Sequence, residues 1–180
     1  EPPDGPEASW VLPFRTPYGR TYAFYTYNAD NLRTVLADEE FYVSRVDTLG
    51  KYAFKYSDDD GRTWSTPRPT NLPGQVCSPI PLPDGRVAAI YNHRHDPHGI
   101  RVAVSEDLEH FDRDNELVVF DAGAEAQLGE TSTDQFFEEH MLIGFGKPCG
   151  HIDRDGTLLV YFWCTSRGVT HTRWVRISCQ

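Results

Sequence analysis

Positive charge is scarce in this sequence: 17 Lys and Arg stand against 27 Asp and Glu, a formal net charge of -10. That balance excludes a general nucleic-acid binder, because phosphate contacts need clustered Lys and Arg. Long apolar runs are lacking too; the longest, Leu158 to Cys164, is far short of a membrane span and reads as a buried strand. No membrane partner is expected. The four cysteines, Cys77, Cys149, Cys164 and Cys179, form neither a CxxC pair nor a zinc spacing, so buried free thiols are expected, with disulfides the alternative for an exported chain; no cofactor is expected. The chain begins at Glu1 without the basic and apolar parts of a signal peptide, as expected of a processed chain or one that starts mid-protein, and the compartment stays open.

Helical periodicity is also missing. In its place, short runs rich in Val, Ile, Tyr, Phe and Trp alternate with Gly, Pro, Asp and Asn clusters, which predicts an all-β chain of many short strands. Three runs share one frame: "GRTYAFY" from Gly19, "GRVAAIY" from Gly85 and "GTLLVYF" from Gly156 each follow a turn, and each is followed by a strand ending in serine, at Ser57, Ser105 and Ser178. The glycines are 66 and 71 residues apart, longer than the roughly 40 to 50 residues of common propeller blades. Two polar stretches hold the excess, Asn28 to Thr48 and Asp121 to His140, and long loops on a β scaffold are where sites tend to sit. Residues 1–9 are expected to be a loose arm and 10–180 the folded body. Three units of four-stranded antiparallel sheet do not close a ring, which needs about four to eight blades. The expectation is a piece of a longer propeller with blades missing; completion by self-association with another chain, or packing of the repeats as an unusual compact β domain, are the alternatives.

"SDDDGRTW", Ser57 to Trp64, places Asp and Gly where a tight turn needs backbone acceptors and positive φ, with Trp64 to cover the hairpin. With Ser57, Asp59, Gly61, Thr63 and Trp64 it resembles the Asp-box, Ser-x-Asp-x-Gly-x-Thr-Trp, of sialidases and related BNR-repeat β-propellers. "SEDLEHFD" from Ser105 is similar in a degenerate form, keeping Ser105 and Asp107. The resemblance implies a sialidase-type propeller in which these acids clasp a hairpin at the rim, away from chemistry.

It also implies a site. "FRTPYGRTYAF" from Phe14 is similar to the Phe-Arg-Ile-Pro motif, whose arginine helps clamp the substrate carboxylate, so Arg15 takes that role; a guanidinium makes two parallel charge-assisted bonds to a carboxylate. Asp47 lies ten residues before Ser57, about where sialidases carry their acid/base aspartate, with Asp30 and Asp38 in the same stretch as runners-up. Sialidases use a tyrosine nucleophile assisted by a glutamate. Near "GFGKPCGHIDRDG" the tyrosine's place holds Lys147, Pro148 and Cys149; Tyr161 lies further on, and Glu138 and Glu139 are acids of a loop. In "YNHRHDPHGI", His93 and His95 share one strand face and could bind zinc with His98, whereas Arg94 points the other way as a second substrate arginine. The aromatic runs are mostly core, with Tyr25 or Trp163 as residues that could reach a central funnel. The expected function is an exo-acting glycoside hydrolase for sialic acid or a related acidic sugar, and the alternative is a non-catalytic glycan-binding propeller. The expected partner is carbohydrate.

Overall fold

A computed structural model describes residues 8–27, 51–73, 75–93, 97–122, 144–166 and 169–178. Among these the fold is all-β. Sheet 1 holds β1 (Ala8–Arg15), β2 (Thr21–Tyr27), β3 (Lys51–Ser57) and β4 (Arg68–Pro73). Sheet 2 holds β5 (Gln75–Pro81), β6 (Val87–His93), β7 (Gly99–Ser105) and β8 (Leu117–Asp121). Sheet 3 has three strands, β9 (Phe145–Ile152), β10 (Leu158–Ser166) and β11 (Val169–Ile177). Every pairing is antiparallel and joins strands consecutive in sequence. The three sheets stack in order and form no closed ring among the described residues. β1 begins at Ala8, so Ala8 and Ser9 of the expected arm pair with Tyr27 and Thr26.

The repeated frame is a repeated hairpin. In the first strand-to-strand turn of each sheet, the N–H of Thr16, Leu82 or Asp153 donates to the carbonyl of Arg20, Arg86 or Thr157. The glycine N–H donates back to the carbonyl of the first residue in each, at 3.0, 3.1 and 2.9 Å. Gly19, Gly85 and Gly156 have φ of 93°, 93° and 81°, the left-handed position that a three-residue hairpin loop requires.

Alternation along the strands makes two cores. Tyr22, Phe24 and Phe54 of sheet 1 pack on Val87, Ala89, Tyr91 and Ala103 of sheet 2. From the opposite face of sheet 2, Ala88, Ile90, Ile100 and Val102 pack on Leu158, Val160, Phe162 and Cys164 of sheet 3. β6 is therefore buried at all seven positions. The second joint is close: a Cβ on Gly150 would sit 2.5 Å from Ile90 Cδ1 and 2.8 Å from the Leu159 carbonyl oxygen. Tyr25 is buried within sheet 1, which removes it from the aromatics able to face a funnel. Cys164 is buried with its Sγ 3.7 Å from His171 Nε2, and Cys149 is half-buried.

Candidate functional site

The register gives the stack two unlike faces. Arg15 pairs with Thr21 and Thr21 with Ser57, so the turn at 16–20 and the Ser57–Trp64 turn share one end of sheet 1. The turns at 82–86 and after Ser105 share the corresponding end of sheet 2. These ends and the end of β9 meet around a cavity of about 480 Å³ lined mainly by Phe14, Tyr18, Tyr22, Leu82, Leu108 and Ile152. We call this the turn face. The strand ends joined through 28–50, 94–98 and 123–143 lie at the opposite end, the loop face.

On the turn face all three acids of "SDDD" have structural partners. The Ser57 hydroxyl donates to Asp59 Oδ1 at 2.7 Å and accepts the Gly61 N–H at 2.8 Å. Asp59 then accepts the N–H groups of Arg62 and Thr63 and the Thr63 hydroxyl, at 3.1, 2.8 and 2.6 Å. These donors hold its carboxyl well below the usual carboxylate range, Thr63 contributing most. Trp64 Nε1 donates to the Gly61 carbonyl at 3.0 Å. Arg20 grips Asp58 with two bonds, 2.6 and 3.1 Å, and stacks over the Tyr56 ring. Arg15 pairs with Asp60 at 2.7 Å, both side chains more than half exposed. A carboxylate saturated by donors in its own turn is a clasp.

The Ser105 turn copies this scheme with different residues. The Ser105 hydroxyl accepts the Leu108 N–H at 2.9 Å, and Asp107 accepts the N–H groups of Glu109 and His110 at 2.9 and 2.7 Å. The His110 ring lies 2.8 Å from Asp107 Oδ2, and this contact raises the imidazole pKa. Sequence reasoning missed what anchors this turn to sheet 1. Asn71 of β4 gives its amide to the Phe111 carbonyl at 2.9 Å and accepts the Phe111 N–H at 2.8 Å. Arg68 adds an ion pair to Glu109 at 2.6 Å.

The loop face carries the irregularities. β1, β5 and β9, the first strands of the three sheets, run next to one another, and each breaks register near the end where the chain enters it: Ser9 to Leu12, Gln75 to Cys77, and opposite Tyr161 to Trp163. In β9 the break includes Lys147, exposed and left-handed at φ 45°. Bulges re-aim side chains and are frequent beside active sites. Toward the same end of sheet 2, Asn92 is buried, and neither atom of its amide has a hydrogen-bond partner among the described residues. An orphaned buried amide costs about 1–3 kcal/mol. Next to it, His93 Nδ1 and Arg101 Nη2 both meet the Pro97 carbonyl, at 3.1 and 3.0 Å. Among the described residues no group of His, Cys, Asp or Glu is arranged to hold a metal.

Among the described residues Tyr91 donates to Glu116, with Arg101 Nη1 3.3 Å from the carboxylate. Tyr91 is fully buried between sheets 1 and 2, and desolvation first, then Glu116, raises its pKa. It stays a protonated donor, a structural role.

Of the sequence-predicted site residues, Arg15 stands on the turn face, away from the loop face. Asp47, four residues before β3, and Arg94, one residue after β6, lie outside the described residues, as do Asp30, Asp38, His95, Glu138 and Glu139; the chain positions that flank Asp47 and Arg94 belong to the loop face.

No family model and no curated protein sequence matches this chain. Solved structures do. A Dyadobacter fermentans protein of unknown function aligns over 93% of this chain and 37% of its own, with TM-score 0.61 and 20% identity. The intramolecular trans-sialidase of Ruminococcus gnavus, solved with oseltamivir carboxylate, aligns over 96% of this chain and 32% of its own, with TM-score 0.53 and 14% identity. A PL25 ulvan lyase bound to -[GlcA(1-4)Rha3S]- gives 0.52 and 13% identity over 96% of this chain and 42% of its own. The fold is that of the sialidase-type propellers, and the chain spans well under half the length of these structures.

Proposed function

We propose that this chain is part of a carbohydrate-active propeller, and that the complete protein is an exo-acting glycoside hydrolase removing sialic acid or a related acidic sugar. One observation carries the reading. The two longest connections, 28–50 and 123–143, and all three irregular first-strand beginnings fall on one face, while the opposite face is closed by hydrogen-bonded turns. Sites on rigid β scaffolds are built from such connections. In this reading the Ser57–Trp64 turn is an Asp-box that marks the far rim. The carboxylate-bearing ligands named for the trans-sialidase and the ulvan lyase support an acidic substrate.

Asp47 is the acid/base group: it protonates the leaving glycosidic oxygen and then takes a proton from the attacking water. Arg94 meets the substrate carboxylate, since a guanidinium fork fits both oxygens. Arg15, with Asp60 as its partner on the turn face, is left outside the pocket. No cofactor is required. The test is turnover of a fluorogenic sialoside by the complete protein. Asp47→Asn should lower kcat by ~10²–10⁴-fold with binding retained. Arg94→Ala should weaken binding of acidic but not neutral sugars, while Arg15→Ala should change neither. Full turnover by the Asp47 variant would end this assignment.

A second reading, glycan binding without turnover, is favoured by β9, where Lys147, Pro148 and Cys149 occupy the place at which the resemblance calls for a tyrosine. Sugar binding without turnover by the unaltered protein would establish it.

A further inference from the structure

The turn-face cavity has chemistry that the proposed sugar site does not use. Sheet 1 supplies three aromatic rings to it, Phe14, Tyr18 and Tyr22. Phe14 and Tyr22 stack with ring centres 5.1 Å apart, and the Tyr18 hydroxyl lies 3.4 Å from the Tyr22 hydroxyl. Tyr22 is buried, whereas Tyr18 is 72% exposed, so most of its ring is open to a ligand. The hydrogen bonds of the hairpin turns at 16–20 and 82–86 hold the walls, and the cavity is formed before anything enters it. Its volume of about 480 Å³ falls in the range of roughly 300–1,000 Å³ usual for small-molecule sites, which are mostly apolar with a few placed polar groups.

The charge of the lining selects the ligand. The Ser105 turn of sheet 2 contributes two carboxylates, Glu106 and Asp107, and no Lys, Arg or His is among the lining residues. Asp107 is used by its own turn: it accepts the Ser105 hydroxyl and the N–H groups of Glu109 and His110, and meets the His110 ring. Other acids of the turn face have arginine partners, Asp58 with Arg20, Asp60 with Arg15, Asp84 with Arg86 and Glu109 with Arg68. The Glu106 side chain has no ion-pair or hydrogen-bond partner among the described residues.

These carboxylates repel an anionic ligand, and a neutral apolar one would desolvate Glu106 without pairing it. A neutral sugar fits less well, because the Thr16 hydroxyl is bonded to the Arg20 carbonyl and N–H and the tyrosine hydroxyls face each other, leaving few side-chain groups for its hydroxyls. A cation with an apolar body suits both halves of the cavity, since aromatic rings attract such a cation through their quadrupole and the carboxylate through its charge. We propose that the turn-face cavity binds an organic cation, an alkylated or quaternary ammonium group packed on Phe14, Tyr18 and Tyr22 with its charge toward Glu106. The site lies on the face opposite the one proposed for the sugar, so each reading stands or fails without the other.

The test compares choline with neohexyl alcohol, its uncharged isostere in which carbon replaces nitrogen, by saturation-transfer NMR of their methyl signals on the complete protein. Choline should bind saturably and about tenfold more tightly than the isostere. Glu106→Gln should weaken choline binding about three- to tenfold and leave the isostere unchanged, and Tyr18→Ala should weaken choline by about the same factor. Both side chains are exposed, and both variants should keep Tm within about 2 °C of the unaltered protein. Equal affinity of the two probes overturns the proposal, because the cavity then takes any apolar group. Absence of saturable choline binding overturns it too, as does choline binding unchanged by Glu106→Gln. Phosphatidylcholine vesicles decide the source of the cation: displacement of choline assigns the site to a lipid headgroup, and no displacement assigns it to a free cation.

Discussion

At the Ser57–Trp64 turn the hydrogen bonds of Ser57 and Asp59 stay within the turn, whereas the Ser105–Phe111 turn draws on residues far away in sequence. The first relieves its left-handed backbone with Gly61 at φ 84° beside Asp60 at 59°. The second has no glycine; Leu108 takes φ 71°, which costs a non-glycine residue roughly 1–2 kcal/mol. It also closes one residue sooner, His110 five positions after its serine doing what Thr63 does six after. What holds the second turn is packing, with Leu108 and Phe111 buried in the joint between sheets 1 and 2, and the Asn71 clamp. Local chemistry stabilises one turn, and the neighbouring sheet imposes the other.

The strongest way to break the comparison is Phe111→Ala, which should cost about 3–5 kcal/mol in urea unfolding because it empties part of that joint. Trp64→Ala, on a half-buried side chain outside both cores, should cost clearly less. Next, Asn71→Ala removes both bonds to Phe111 and should cost about 1–3 kcal/mol; equal stability of the variant would show that packing alone holds the turn. Gly61→Ala should cost about 1 kcal/mol, from the positive φ alone.

The smallest effect is on pH dependence. His110 has its pKa raised from 6.5 by Asp107, so its contribution is complete below about 6.5 and disappears as pH rises through the raised value. The stability difference between the protein and His110→Asn should therefore shrink on going from neutral to alkaline pH, and shrink further in high salt because the pair is exposed. Asp59 and Asp107 have lowered pKa values, so both turns lose support only as pH falls below about 3.8. Thr63 does not titrate, and the first turn should show no counterpart to the alkaline change.

The hairpins were legible in the sequence because their cause is local: a glycine at the left-handed position and a strand of apolar residues after it. The Ser57–Trp64 turn was legible for the same reason. Leu108 was not, since propensity gives no signal for leucine at positive φ where burial of its side chain offsets the strain. Asn71 was not, because its partner is 40 residues away. For Arg15, the residues around it mark a turn, while the face on which that turn lies follows from the pairing of β1, β2 and β3. A seven-residue strand separates the two faces by ~20 Å. The sheet topology follows from the order of the runs; which residues meet at a site depends on that long-range register.

The joining of consecutive strands within every sheet bears on how the molecule forms. No strand is inserted between two earlier ones, so each sheet can assemble as a meander from the N-terminal side, hairpin by hairpin, on the microsecond scale of such units. A growing chain can thus complete sheet 1 and dock sheet 2 on it before β9 exists, and the architecture can be lengthened one sheet at a time without rethreading what has already folded.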